Sequence, residues 1–315
     1  MIYNILLMSG GLILLVFGAD WLVSSASAIA KKMKVSDLAI GLTIVSFGTS
    51  APEFVVNTFA AYQGNSDIVF GNVIGSNNFN LFIILGIAGI ITPLTVQSST
   101  VWKEIPISLL AALVLLFLAN DAFFSNSENI LGRFDGIMLF ALFALFLVYV
   151  YKQLRTEVNS ATVEKQRPVI VLVGLVLLGL TGLVVGGRLV VTSAVEIATL
   201  LGVSEKIIGL TIVAAGTSMP ELATSVVAAI KKNSDIAVGN IIGSNIFNVF
   251  FILSASSLIK PVTFNASFNM DIYILIGGTI FLFAAMFTGV KKRLDRWEAA
   301  LLLIGYLGYT VWLIG

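Results

Sequence analysis

Long apolar runs separated by short polar stretches dominate the chain. A membrane-crossing helix needs about 20 mainly apolar residues. Ten runs meet that rule: roughly 3–29, 37–62, 67–91, 104–120, 130–151, 168–197, 206–230, 235–258, 270–289 and 295–314. The turns between them are short except for the polar stretch 152–167, after the fifth run. The pattern predicts an all-α integral membrane protein of ten transmembrane helices. It divides into an N-terminal five-helix half over 1–151, a cytoplasmic linker over 152–167 and a C-terminal five-helix half over 168–315.

The two halves repeat one another. Glu53 and Glu221 stand 168 residues apart. The same offset superposes Gly48-Thr49-Ser50 on Gly216-Thr217-Ser218, Pro52 on Pro220, and Gly71-Asn72 on Gly239-Asn240. It also carries Gly75-Ser76-Asn77 onto Gly243-Ser244-Asn245 and Asn80 onto Asn248, with no gap across either block. Repeats of this kind determine the architecture before any local reading does.

Charge sets the expected orientation. No Lys or Arg precedes the first apolar run, and Lys31, Lys32 and Lys34 follow it. A cleaved signal peptide carries its positive charge in front, so the first run is read as a retained span with its N-terminus outside. The loops then facing the cytoplasm hold Lys31, Lys32, Lys34, Lys103, Lys152, Arg155, Lys165, Arg167, Lys231, Lys232, Lys291, Lys292, Arg293 and Arg296. The outer loops hold only Arg133, Lys206 and Lys260. This is a strong positive-inside bias. Five spans per half is an odd number, so the second half enters from the opposite side. The expected arrangement is an inverted repeat with both termini outside, the framework of alternating-access transporters.

Composition narrows the chemistry. At 58% hydrophobic and 11% charged residues, the chain cannot cover a water-facing surface, because soluble domains carry about 25% charged residues. The expected setting is a cell membrane, with the lipid bilayer as the main partner. A net charge of +1 argues against nucleic acid as a partner. There is no cysteine and no histidine, which removes disulfides, thiolate metal sites and histidine proton relays. The remaining donors are oxygens, which suit hard cations. No nucleophile motif or catalytic metal set is present, so an enzyme is not expected.

The candidate chemistry sits inside the apolar runs. Gly48-Thr49-Ser50-Ala51-Pro52-Glu53 lies in the second run and Gly216-Thr217-Ser218-Met219-Pro220-Glu221 in the seventh. Proline has no N–H and clashes with the preceding turn, so both helices are expected to break there. Freed carbonyls at mid-membrane are tolerated only where they face protein or a polar cavity. With a hydroxyl and a carboxylate they make a hard-cation site. Ser-x-x-Glu also spells a capping box, and that geometry can coexist with ion binding. In the third and eighth runs, Asn72, Ser76 and Asn80 and their counterparts Asn240, Ser244 and Asn248 recur every four residues. They line one helix face with oxygen donors, while the interleaved glycines suit close helix packing. Asp20 and Arg188 also correspond under the offset; they either pair across the first and sixth helices or are each solvated near an interface. Glu196 is placed near a helix end.

Gly-Thr-Ser-x-Pro-Glu followed by Gly-Asn-x-x-Gly-Ser-Asn, present in both halves, resembles the paired alpha-repeats of the sodium/calcium exchanger family, within the cation/calcium antiporter superfamily. The resemblance covers the whole chain, and the short linker is similar to that of the compact prokaryotic members. It implies that Glu53 and Glu221 bind Ca²⁺ with the carbonyls of Thr49 and Thr217. It implies Na⁺ sites at Ser46, Thr49, Ser50 and Glu53 and at Ala214, Thr217, Ser218 and Glu221, with Ser76 and Ser244 contributing. Asn80 and Asn248 line the centre; some relatives carry Asp there, often those that also move K⁺, so K⁺ co-transport is less expected.

The function that follows is Na⁺/Ca²⁺ antiport. Two carboxylates in one cavity need cations to stay ionised, so Ca²⁺ and Na⁺ compete for them, and so do protons, which should weaken transport at acid pH. The long first and sixth helices, rich in Gly10, Gly11, Gly18, Gly179, Gly182, Gly186 and Gly187, are candidates for the moving pair. Na⁺ and Ca²⁺ are cargo and no cofactor is expected; the expected state is a monomer. A Ca²⁺/H⁺ exchanger of the same fold and a cation channel remain as alternatives.

Overall fold

The computed structural model describes residues 2–121, 129–153, 168–201 and 214–314. Most of the linker, 154–167, and the start of the seventh predicted span, 206–213, lie outside them. Helices account for nearly all of the described chain, in order α1 (Ile2–Met33), α2 (Asp37–Thr49), α3 (Ala51–Gln63), α4 (Ser66–Ile91), α5 (Thr100–Ala119), α6 (Arg133–Gln153), α7 (Val169–Leu200), α8 (Ala214–Gly216), α9 (Met219–Ile230), α10 (Ser234–Ile259), α11 (Ala266–Ala285) and α12 (Arg296–Ile314).

Seven of these, α1, α4, α5, α6, α7, α10 and α11, are each long and apolar enough to cross a membrane. The pair α2 and α3 makes an eighth, bent by 49°. The bend falls at Ser50-Ala51-Pro52, where Pro52 withholds the N–H that the Gly48 carbonyl would accept. Two predicted spans are only partly within the described residues and are not among these eight. Of the seventh, only α8 and the 12-residue α9 are described. The tenth forms α12, whose 19 residues are as apolar on average as Ser234–Phe247 of α10 but whose last side chains lie outside the described residues.

The centre of the molecule is α10. Every residue from Ile236 to Phe247 is buried, so this helix is apolar around most of its girth except for its Asn, Ser and Gly positions. Those glycines admit α2: a Cβ on Gly239 would stand 3.0 Å from the Leu38 carbonyl oxygen, and one on Gly243 only 2.8 Å from Ser46 Oγ. Both α4 and α10 switch to a wider π-helical turn at matching places, Phe79–Ile84 and Asn248–Ile252. There Leu85 N donates to Asn80 O and Leu253 N to Asn248 O. Insertions of this type often mark functional positions.

Contacts between the halves follow the 168-residue offset. Gly11 of α1 crosses Gly186 of α7, and Gly18 crosses Gly179. A Cβ at any of the four would stand 2.7–2.8 Å from the opposing carbonyl oxygen. Without side chains the two backbones meet directly, as small-residue motifs permit in membranes. Two short antiparallel strand pairs tie loops of one half to loops of the other. Leu94–Thr95 (β1) pairs with Arg293–Leu294 (β4), and Ile130–Leu131 (β2) with Val262–Thr263 (β3).

The halves are not packed identically. Helix α1 lies along α9, whereas its counterpart α7 packs against α2, α8 and α9 rather than along α3. Leu180 and Val191 of α7 press against Gly48 and Gly216, so this one helix covers both breaks.

Candidate functional site

Four short helix starts and turns meet at the join of the halves. Pro52 and Pro220 open α3 and α9, each with its Glu in the first turn. Glu53 and Glu221 are buried, 1% and 0% exposed. Ser50 and Ser218 are the N-cap residues, yet neither side chain caps its own helix. The capping box is therefore not formed. Each hydroxyl reaches the other half instead. Ser50 Oγ donates to Glu221 Oε1 at 2.8 Å, and Ser218 Oγ donates to Glu53 Oε1 at 3.1 Å. Ser244 Oγ stands 3.0 Å from Ser50 Oγ and 3.5 Å from Glu221 Oε1.

Threonines repeat the exchange. Thr49 Oγ1 donates to Asn240 Oδ1 at 3.0 Å, and Thr217 Oγ1 to Asn72 Oδ1 at 3.2 Å, an oxygen that also accepts from Ser76 Oγ at 3.1 Å. Below them, Asn77 and Asn245 each donate to the other's backbone carbonyl at 3.2 Å. Asn80 Nδ2 then donates to Asn245 Oδ1 at 3.0 Å, and Asn248 Nδ2 to Asn77 Oδ1 at 2.9 Å. These reciprocal amide bonds use the nitrogen of Asn80 and Asn248 and leave their oxygens free.

The result is a set of four buried acceptors without a hydrogen-bond partner: Glu53 Oε2, Glu221 Oε2, Asn80 Oδ1 and Asn248 Oδ1. A buried acceptor left unmet costs about 1–3 kcal/mol, more when charged. No Lys or Arg is buried among the described residues, so protein charge does not answer the carboxylates. Nor does a group of three or more Asp, Glu, His or Cys gather anywhere among them. The available donor set is therefore two carboxylates plus neutral amide, hydroxyl and carbonyl oxygens. That set fits a hard cation.

Most of the residues singled out from the sequence come together here: Glu53, Glu221, Thr49, Thr217, Ser50, Ser218, Ser76, Ser244, Asn80 and Asn248. Ser46 is buried beside them, but its hydroxyl turns to the Thr43 carbonyl at 3.3 Å and packs against Gly243, and its own carbonyl accepts from Ser50 N at 3.0 Å. Ala214 lies in the short α8, and its side chain is outside the described residues.

Sequence reasoning missed the residues that hold the ligands in place. Asn77 and Asn245 were part of a motif without a role. Asn57 Nδ2 supports the Glu53 carbonyl at 2.8 Å, whereas the Glu221 carbonyl is met from Asn240 Nδ2 at 3.4 Å. Ser225, which replaces Asn57 in the second half, accepts from Asn240 Nδ2 at 3.0 Å. An Asn inside an apolar run was the available signal.

Asp20 and Arg188 do not pair with each other; Asp20 is about half exposed and Arg188 is exposed, in line with the second alternative. Asp20 pairs with Lys231, at the end of α9, at 2.6 Å, and Lys231 also bonds Ser24. Arg188 is exposed on α7 and lines a cavity of about 430 Å³ between α3 and α7. Glu196 is exposed, four residues before the end of α7.

Comparison with known proteins identifies the family and the fold. The family described as sodium/calcium exchanger protein matches residues 3–152 and 171–315. CaxA of Alkalimonas amylolytica is 37% identical, over 95% of this chain and 95% of its own. The sodium/calcium exchanger MaX1 of Methanosarcina acetivorans is 31% identical, over 98% of this chain and 97% of its own. A structure of the sodium–calcium exchanger NCX_Mj soaked with Na⁺ and Ca²⁺ superposes with a TM-score of 0.84 at 31% identity, covering 99% of this chain and 98% of that one. The family and its structural neighbours are transporters rather than enzymes. A multi-pass helical membrane protein whose two halves share one buried oxygen site, this chain belongs to the sodium/calcium exchanger protein family.

Proposed function

We propose that the protein exchanges Na⁺ for Ca²⁺ across a cell membrane by alternating access, and that the twelve residues named from the sequence surround the ions. The single observation that carries this reading is the set of four buried, unpartnered oxygens of Glu53, Glu221, Asn80 and Asn248 at the join of the halves. Their two carboxylates match the charge of one Ca²⁺. The hydroxyls and carbonyls around them offer places for Na⁺. Cations of either kind neutralise the same carboxylates, so they displace one another, and an empty doubly charged site is costly to occlude. MaX1 bears the name of a sodium/calcium exchanger, and NCX_Mj has been soaked with both ions.

On this reading the chain makes ten spans as two inverted five-helix halves, 1–151 and 168–315, joined by the linker 152–167, with both termini outside. The positive-inside bias supports the orientation, and the reciprocal bonds between equivalent residues support the two-fold relation. It also gives the described state a direction. The α1–α9 contact, sealed by Asp20 and Lys231, lies at the end that carries Lys231 and Lys232 and is cytoplasmic. In the same orientation the cavity between α3 and α7 falls on the outer side of the breaks. Alternation then consists of α1 and α7 moving together, since their glycine crossings bind them into one unit.

Proteoliposomes loaded with Na⁺ and diluted into K⁺ medium test the function. Ca²⁺ uptake that needs the outward Na⁺ gradient supports the exchanger. Uptake that ignores Na⁺ and follows an imposed pH gradient assigns the fold to Ca²⁺/H⁺ exchange instead. Conductive Ca²⁺ flux with no counter-ion requirement makes it a channel.

A further inference from the structure

The 168-residue offset makes Asp20 and Arg188 counterparts, and Lys231 the counterpart of Gln63. In one half the pair is satisfied: Asp20 and Lys231 close α1 onto α9. In the other half no bond forms. Among the described residues Arg188 has neither a hydrogen-bond nor an ion-pair partner. Its helix lies over the second break: Val191 presses on Gly216, and a Cβ on Gly187 would reach Met219 and Pro220 at 3.7 Å. The cavity that Arg188 lines is otherwise apolar on its α3 side, with Ala51, Pro52, Val55 and Val56. Its floor is Gly216, Thr217 and Pro220, next to Glu221. A permanent cation thus faces the approach to a site built for cations, with low-dielectric walls that focus its field.

Resting on the exchange reading above, we propose that Arg188 is a specificity-determining residue: its unpaired guanidinium in the α3–α7 cavity weights the site against divalent relative to monovalent cations. The physical reason is Coulomb's law. Repulsion scales with the charge of the arriving or bound ion, so Arg188 acts twice as strongly on Ca²⁺ as on each Na⁺. A lone positive charge at that place makes Na⁺ a better competitor and Ca²⁺ release easier. The opposite half offers no such bias, because its counterpart charge is negative and already paired.

The test is equilibrium binding of ⁴⁵Ca²⁺ to the purified full chain, with and without Na⁺ as competitor, for wild type, Arg188→Lys, Arg188→Gln and Arg188→Glu. With the charge removed, Ca²⁺ binding is expected to tighten about tenfold and Na⁺ competition about threefold per ion, the square-root relation that a charge-proportional repulsion requires. Arg188→Glu should go further in the same direction, Arg188→Lys should stay near wild type, and added choline chloride should shrink all differences by screening. Equal shifts for both ions, no shift, or a Glu variant that behaves like the Gln variant would overturn the proposal. Because the readout is binding, it stands apart from transport: wild-type proteoliposomes that fail to couple Ca²⁺ to Na⁺ sink the exchange reading, whereas charge-independent affinities sink only the role of Arg188.

Discussion

The two long helices α1 and α7 are counterparts by sequence, and they treat their surroundings differently. Helix α1 is packed along α9 and tied to it by Asp20 and Lys231. Helix α7 leaves a cavity against α3 and stands over both helix breaks. Between these unequal flanks the site itself is nearly symmetric, with serine, threonine and asparagine bonds repeated in both directions across the join. The contrast teaches that the symmetry belongs to the ligand cluster and the asymmetry to the helices that cover it. That division is what alternating access requires: a fixed site, and a pair of helices that can cover either side of it.

The comparison can be broken at several strengths. The largest effect is expected at the carboxylates. Glu53→Gln and Glu221→Gln should each weaken Ca²⁺ binding by about two orders of magnitude, the scale of losing a charged partner in a buried site. Matching losses would show that the halves contribute equally, and calorimetric titration of both variants measures it. Next come the glycine crossings. Gly18→Ala and Gly186→Ala would push a methyl group into an opposing backbone, an overpacking cost of about 1–3 kcal/mol. Both should lower the thermal unfolding temperature, whereas Gly10→Ala, where nothing lies within 4 Å, should not.

A smaller effect is expected from the hydroxyls that cross the join. Ser50→Ala and Ser218→Ala each remove one hydrogen bond to the opposite carboxylate, worth about 1.5–3 kcal/mol when the acceptor is charged but partly recovered when a cation is bound. Na⁺ affinity should fall about tenfold in either variant, read from Na⁺-dependent protection against heat. The smallest belongs to the covering contact. Asp20 and Lys231 are 49% and 32% exposed, so their bond is worth only about 0–1 kcal/mol. Asp20→Asn should shift the balance toward the opposite state by no more than about fivefold. The chain has no cysteine, so a single Val56→Cys in the cavity reports it. Labelling by an external thiol reagent should slow in the Asp20→Asn background, and high salt should mimic the variant.

How much of this was legible in the sequence depends on whether the contact is local or between halves. The apolar runs, the break at Pro52 and the repeat that marks out the ten candidate residues now seen to meet at the join were readable, because span length, proline chemistry and repetition are local properties. The offset shows which residues are equivalent but not which ones meet. Gly11 corresponds to Gly179 yet crosses Gly186, and Ser50 precedes Glu53 yet bonds Glu221. For the same reason the offset left open whether Asp20 pairs with its counterpart Arg188, and it pairs with Lys231 instead. The π-helical turns at Asn80 and Asn248 have no composition signal. The tenth span was read by the same rule of about 20 mainly apolar residues, and it forms the 19-residue α12.

The central claim is that one buried oxygen cluster, shared by both halves, holds Ca²⁺ and Na⁺ in turn. Displacement of ⁴⁵Ca²⁺ from purified protein by increasing Na⁺, with the Glu53→Gln/Glu221→Gln double variant alongside, tests it most directly. The account predicts saturable Ca²⁺ binding that Na⁺ removes cooperatively and that the double variant lacks. Ca²⁺ binding that ignores Na⁺, or that survives loss of both carboxylates, would contradict it.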